Sequence, residues 1–202
     1  MSCIRLAAPI VLALAFATGP AGATALAQNA SPPAATIPGL AAPAPLQPGD
    51  AFGEAVTLPE RTVIYFKGQT NWDTAYDTLV DAFKSLNEYF AKQGLKASGP
   101  AMTIYTQTDD RGFSFQAALP VAEAPAEPPK GDIGLGKSPA GKALKFVHRG
   151  AYDAMDSTYE AITNYLDDKG LEAKDLFIEE YTSDPVTTPQ DKLVVNVFVP
   201  VK

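Results

Sequence analysis

The sequence predicts an α+β domain in which two strand-helix-strand-strand units lie side by side, forming an antiparallel sheet with two main helices packed on it. Three observations predict this. Gly94 and Gly170 are 76 residues apart, and so are Tyr105 and Tyr181. Each half carries an apolar stripe at helical spacing, followed by two runs rich in β-branched and aromatic residues. At 202 residues, 46% hydrophobic and 19% charged, the chain suits one domain or two small halves sharing a core.

The N-terminus carries an address. Arg5 precedes the apolar run Leu6 to Ala17, and small residues follow to Ala25-Leu26-Ala27. This is the pattern of a secretory signal peptide, residues 1–27, and the run is too short to span a bilayer. Cleavage near Ala27 predicts a periplasmic or secreted protein that has lost its only cysteine, Cys3. Residues 28–50 hold six Ala and six Pro and no charge before Asp50, so they read as a disordered, semi-extended linker. The domain follows over 51–202, with repeat 1 at about 51–121 and repeat 2 at about 132–202.

In repeat 1, Thr62 to Lys67 reads as a strand ending at Gly68. Tyr76, Leu79, Val80, Phe83, Leu86 and Phe90 then mark one face of a helix. Thr74 to Asp77 resembles a capping box, and Gly94 is a stop signal. Met102 to Thr106 and Phe113 to Leu119 form a hairpin around Asp109-Asp110-Arg111-Gly112, where paired acids read as turn residues. In repeat 2, Ala143 to Arg149 is the strand. A helix starting near Ala151 carries Tyr152, Met155, Tyr159, Ile162 and Leu166 and stops at Gly170. Leu176 to Tyr181 and Leu193 to Val199 close the unit. Short strands are expected near Gly53–Leu58 and Asp132–Lys137. A unit of about 60 residues is marginal alone, so the halves share a core and their junction is the natural concavity.

Charge excludes whole classes of function. With 16 Lys+Arg against 23 Asp+Glu, the net charge of −7 argues against a nucleic-acid partner. No membrane span is expected beyond the leader. His148 is the single histidine, which removes multi-histidine metal centres and leaves it a structural role. The composition calls for neither metal nor cofactor and specifies no oligomeric state.

Phe146-Val147-His148-Arg149-Gly150-Ala151-Tyr152, the helix after it, Glu179-Glu180-Tyr181-Thr182-Ser183-Asp184-Pro185 and the closing Val197-Phe198-Val199-Pro200-Val201 together resemble the GyrI-like superfamily. That group includes the effector-binding domains of AraC-type and multidrug-responsive regulators. The resemblance spans about 51–202 and implies a tandem strand-helix-strand-strand fold. It also implies a groove between the halves for small hydrophobic, aromatic or cationic molecules. A glutamate in an E-x-Y pattern commonly faces that groove, which assigns the role to Glu179 and Tyr181. Some relatives use such a pair to hydrolyse electrophiles, so a hydrolase with Glu179 and Tyr181 is one alternative. A periplasmic protein-interaction module is another. The region before residue 51 reads as leader and linker rather than a DNA-binding domain, which argues against direct transcription control.

Strand alternation places Phe177, Glu179 and Tyr181 on one face and Ile178 and Glu180 on the other. A carboxylate among aromatic rings suits a planar cation. Burial would raise its pKa, whereas an outward Glu179 would be merely solvated. The 76-residue offset makes Thr103 its counterpart, so only one half carries the acid. Tyr105, Trp72 and Tyr152 complete the candidate ligand-binding set. Trp72 either overhangs the groove or plugs the core edge, and Tyr152 and Tyr65 are weaker pocket candidates that read first as core.

Overall fold

The computed structural model describes residues 44–202. The signal peptide expected at 1–27 and the first part of the expected linker, residues 28–43, lie outside the described residues. The ten strands and helices follow the predicted order twice over. Repeat 1 contains β1 (Phe52–Leu58), β2 (Thr62–Asn71), α1 (Ala75–Gln93), β3 (Ala101–Asp109) and β4 (Gly112–Pro120). Repeat 2 contains β5 (Ile133–Lys137), β6 (Gly141–Gly150), α2 (Met155–Lys169), β7 (Phe177–Tyr181) and β8 (Leu193–Pro200). Among the described residues no helix is long and apolar enough to cross a membrane.

Local chemistry sets the helix ends. Gly94 and Gly170 close α1 and α2 at φ 63° and 62°, the left-handed turn that glycine adopts without a Cβ penalty. The expected capping box does not form. A single 3-10 turn at Trp72–Thr74 precedes α1, so the cap moves back to Asn71, whose side chain accepts the Thr74 N–H at 3.0 Å. A second 3-10 turn, Tyr152–Ala154, precedes α2, which becomes regular at Met155. Asp109 Oδ1 accepts the N–H groups of Arg111 and Gly112 at 2.7 and 3.1 Å, so this acid serves its hairpin turn. Leu79, Phe83, Leu86 and Phe90 of α1 and Met155, Ile162 and Leu166 of α2 are buried, as their stripes predict. Each such large side chain contributes on the order of 1.5–3 kcal/mol.

The eight strands form one antiparallel sheet in the order β1-β6-β8-β7-β3-β4-β2-β5. Each repeat donates its first strand to the other, because β1 pairs with β6 and β5 with β2. This exchange forces curvature. The three residues Pro59–Arg61 join strands six positions apart, a separation of about 29 Å in a flat sheet. The link from Leu58 to Thr62 reaches at most about 14 Å. The sheet therefore curls until its margins approach, and the two crossovers meet. Arg61 N–H donates to Ser138 Oγ at 3.0 Å and Ser138 N–H to Arg61 O at 2.9 Å. Beneath them, on the face away from the helices, Val63, Met102, Ile178 and Phe198 form a core of their own. Glu180 lies on this face, paired with Arg61 at 3.0 Å.

The end of the Pro/Ala-rich stretch is bonded to β6. Ala44 N–H donates to Arg149 O at 3.0 Å, and Arg149 grips Asp50 with two bonds of 2.7 Å. That hydrogen bonding holds the Asp50 carboxyl down to about 2.

Candidate functional site

The site begins with strand register. On the central pair, Thr103 of β3 faces Glu179 of β7. These residues are also 76 apart, so one repeat position faces its own counterpart. On either side Tyr105 faces Phe177 and Ala101 faces Tyr181, again counterparts exchanged across the pair. A pseudo-two-fold axis therefore passes between Thr103 and Glu179. The axis emerges under the helices, because Tyr181 packs edge-on against Phe83 of α1 at 5.5 Å between ring centroids.

Glu179 is 0% exposed. Tyr159 of α2 donates to its Oε1 at 2.8 Å, and Tyr181 donates to Oε2 at 2.9 Å. Thr103 Oγ1 lies 3.4 Å from the Tyr181 hydroxyl. The Tyr105 and Tyr152 hydroxyls lie 3.1 Å apart, and Tyr152 packs on Tyr76 of α1 at 5.4 Å. Five tyrosines from both repeats thus collect over one acid. Among the described residues no Lys or Arg forms an ion pair with Glu179.

Burial raises the pKa of Glu179, and the hydroxyls of Tyr159, Tyr105 and Tyr181 pull it partly back. Burial first, and the Glu179 charge second, hold the hydroxyls of Tyr105, Tyr152, Tyr159 and Tyr181 well above the usual tyrosine range. They remain neutral donors. A carboxylate offers about four acceptor positions, so two hydroxyls leave capacity for a further donor or a counter-charge.

A groove of about 860 Å³ opens at one end of this cluster. Tyr105, Phe177 and Phe113 form its aromatic wall, and Gln69, Asp109 and Arg111 are among its polar groups. Tyr105 and Phe177 therefore line the groove, whereas Glu179 lies one layer deeper, two residues along β7 from Phe177. Tyr181 and Tyr152 belong to the cluster around the acid. Trp72 does not line the groove itself but touches two residues that do. It is 46% exposed, donates from its indole N–H to Asp109 O at 2.9 Å, and packs at a tilt against Phe113, 4.9 Å between ring centroids. Phe113 in turn meets Tyr105 at 4.9 Å, giving a continuous aromatic path from the surface to the cluster.

Tyr159 supplies a direct bond to the acid yet reads from sequence as one more core residue on the α2 stripe. Its spacing, four residues after Met155 and three before Ile162, places it on the inner face of α2, and that spacing carries no sign of a hydroxyl partner. His148 is buried and structural. Nε2 donates to the Ala151 carbonyl at 3.1 Å, which leaves Nδ1 to accept the Thr158 hydroxyl at 2.8 Å. The ring thus ties β6 to α2.

The family model for the GyrI-like small molecule binding domain matches residues 54–202. The chain belongs to this GyrI-like family. Solved structures share the fold. The EcmrR chain in its DNA complex has a TM-score of 0.63 at 17% identity, covering 75% of this chain and 57% of that one. Its C-terminal domain alone gives 0.59 at 15% identity, covering 75% and 98%. SAV2435 bound to tetraphenylphosphonium gives 0.53 at 17%, covering 75% and 94%. A hydrolase from Listeria innocua gives 0.52 at 13%, covering 76% and 93%. At these identities the likeness is one of fold. No curated protein sequence matches this GyrI-like chain.

Proposed function

We propose that this GyrI-like domain binds a hydrophobic aromatic cation in the 860 Å³ groove, with Glu179 as the buried counter-charge. The observation that carries the reading is a fully buried carboxylate whose two oxygens are held, among the described residues, by tyrosine hydroxyls. Such an acid is costly to ionise in an apolar interior, and a desolvated organic cation relieves that cost. Tyr105 and Phe177 give ring faces for cation–π contact, and a shift of Tyr105 opens the way to the acid. The volume lies within the range of drug-sized sites. SAV2435, of the same fold, was solved with tetraphenylphosphonium, which makes this cation the natural probe. In this reading the −7 charge disfavours a nucleic-acid partner, and the leader at 1–27 delivers the domain outside the cytoplasm.

Trp72 reports on the groove through Phe113. Tetraphenylphosphonium is expected to quench its fluorescence saturably, and neutral triphenylphosphine oxide to bind at least about tenfold more weakly, or about 1.4 kcal/mol. Equal affinity for both would remove the counter-charge from the account.

The Tyr181–Glu179 bond of 2.9 Å favours a second reading, in which Glu179 activates water and Tyr181 steadies the leaving group. Turnover of electrophilic esters or epoxides, abolished in Glu179→Gln, would establish it.

A further inference from the structure

We propose a second, smaller site, for a single-ring aromatic cation, where the pseudo-two-fold axis carries the main groove onto repeat 1. A cavity of about 310 Å³ lies there between α1, β3 and the loop after β7. The symmetry is in the lining itself. Gly99, Ala101 and Tyr181 line the small cavity, and their counterparts Asp175, Phe177 and Tyr105 line the large groove. Where repeat 2 carries the Phe177 ring, repeat 1 has only the Ala101 methyl, and that difference leaves room for a ring from outside.

Size and charge choose the occupant. An apolar cavity of about 150 Å³ holds one benzene, so the space here admits one substituted ring and not the four of tetraphenylphosphonium. Phe83, Leu119 and Tyr181 are buried and form an apolar floor. Tyr181 is fixed by its hydroxyl on Glu179, so its ring is already oriented. At the exposed rim stand the Asn87 side chain and the Asp184 carboxylate. Asp184 accepts the Val186 N–H at 2.8 Å and the Thr187 hydroxyl at 3.0 Å. Those two bonds leave about half of its acceptor positions for an ammonium group. An aromatic floor below an acid at the mouth fits an arylalkylammonium, ring inward and charge outward.

This inference is independent of what fills the main groove. The test is a ligand-observed NMR titration of the protein with benzylammonium. Saturable binding in the millimolar range is expected, with no displacement by tetraphenylphosphonium. Ala101→Phe, which installs the residue that repeat 2 already carries there, is expected to weaken benzylammonium at least about tenfold and leave tetraphenylphosphonium unchanged. Asp184→Asn keeps an acceptor for the Val186 N–H and is expected to weaken it at least about fivefold. The proposal is overturned if benzylammonium fails to saturate by about 10 mM, if tetraphenylphosphonium displaces it, or if either variant binds it as the parent does.

Discussion

Tyr159 donates its hydroxyl to Glu179 at 2.8 Å, whereas its counterpart in repeat 1, Phe83, has no hydroxyl and meets Tyr181 by ring edge. The two halves share a backbone plan and differ in polarity at matching positions. Thr103 against Glu179 and Phe83 against Tyr159 are two steps of that divergence. They place the acid and the two hydroxyls bonded to it, those of Tyr159 and Tyr181, on repeat 2.

Replacing Tyr159 with Phe tests that division. The variant keeps the ring and leaves Glu179 Oε1 without its donor, a loss of about 1–3 kcal/mol at pH 7. The loss shrinks in acid, where Glu179 is protonated in the native state. Urea unfolding at pH 7 and pH 4 measures both. Tyr89→Phe, on a partly exposed tyrosine of α1, should change stability little.

Glu179 itself opposes folding at neutral pH. Its native pKa is raised by burial, so the native state favours the protonated acid. The penalty is absent below the unfolded value of about 4.5 and grows as pH rises from there through the native pKa. Glu179→Gln should therefore raise Tm at pH 7 and change it little at pH 4. A Tm that falls equally at both pH values would contradict the assigned direction.

Much of this arrangement is legible in sequence, and the reason is the repeat. The offset of 76 residues identifies Thr103 as the partner position of Glu179, and strand alternation puts Glu179 and Glu180 on opposite faces. Cross-strand register is not legible, because it depends on which strands meet. That Thr103 and Glu179 face each other across the axis emerges only with β3–β7 pairing. The exchange of β1 and β5 is hidden likewise, since a short strand pairs with any free edge. β2 runs to Asn71 rather than Lys67 because Gly68–Asn71 continue the ladder against Phe115–Gly112. Helical periodicity reports burial and not hydroxyl partners, which is why the stripe shows Tyr159 as core.

His148 imposes the opposite pH trend from Glu179. Burial lowers its pKa, so the native state favours the neutral ring. Its contribution is fully present above about 6.5 and is lost as pH falls through the depressed native value. His148→Gln should flatten the decline of stability below pH 6.5, measured by urea midpoints from pH 7.5 to 5. An unchanged slope would relieve His148 of that role.

Phe177 forms an aromatic wall of the main groove, and in the proposed reading Glu179 is the counter-charge behind it. Phe177→Ala should weaken tetraphenylphosphonium about fivefold or more through lost ring contact. Its preference over triphenylphosphine oxide should persist, because the acid is intact. Parallel fluorescence titrations with the two probes separate these effects.

The most direct measurement is calorimetric titration of tetraphenylphosphonium into the parent protein and Glu179→Gln at pH 7.5. The account predicts saturable one-to-one binding at the main groove by the parent and at least about tenfold weaker binding by a variant that is equally or more stable. Identical affinities for the two proteins, or no binding by the parent, would contradict a buried acid serving as the counter-charge.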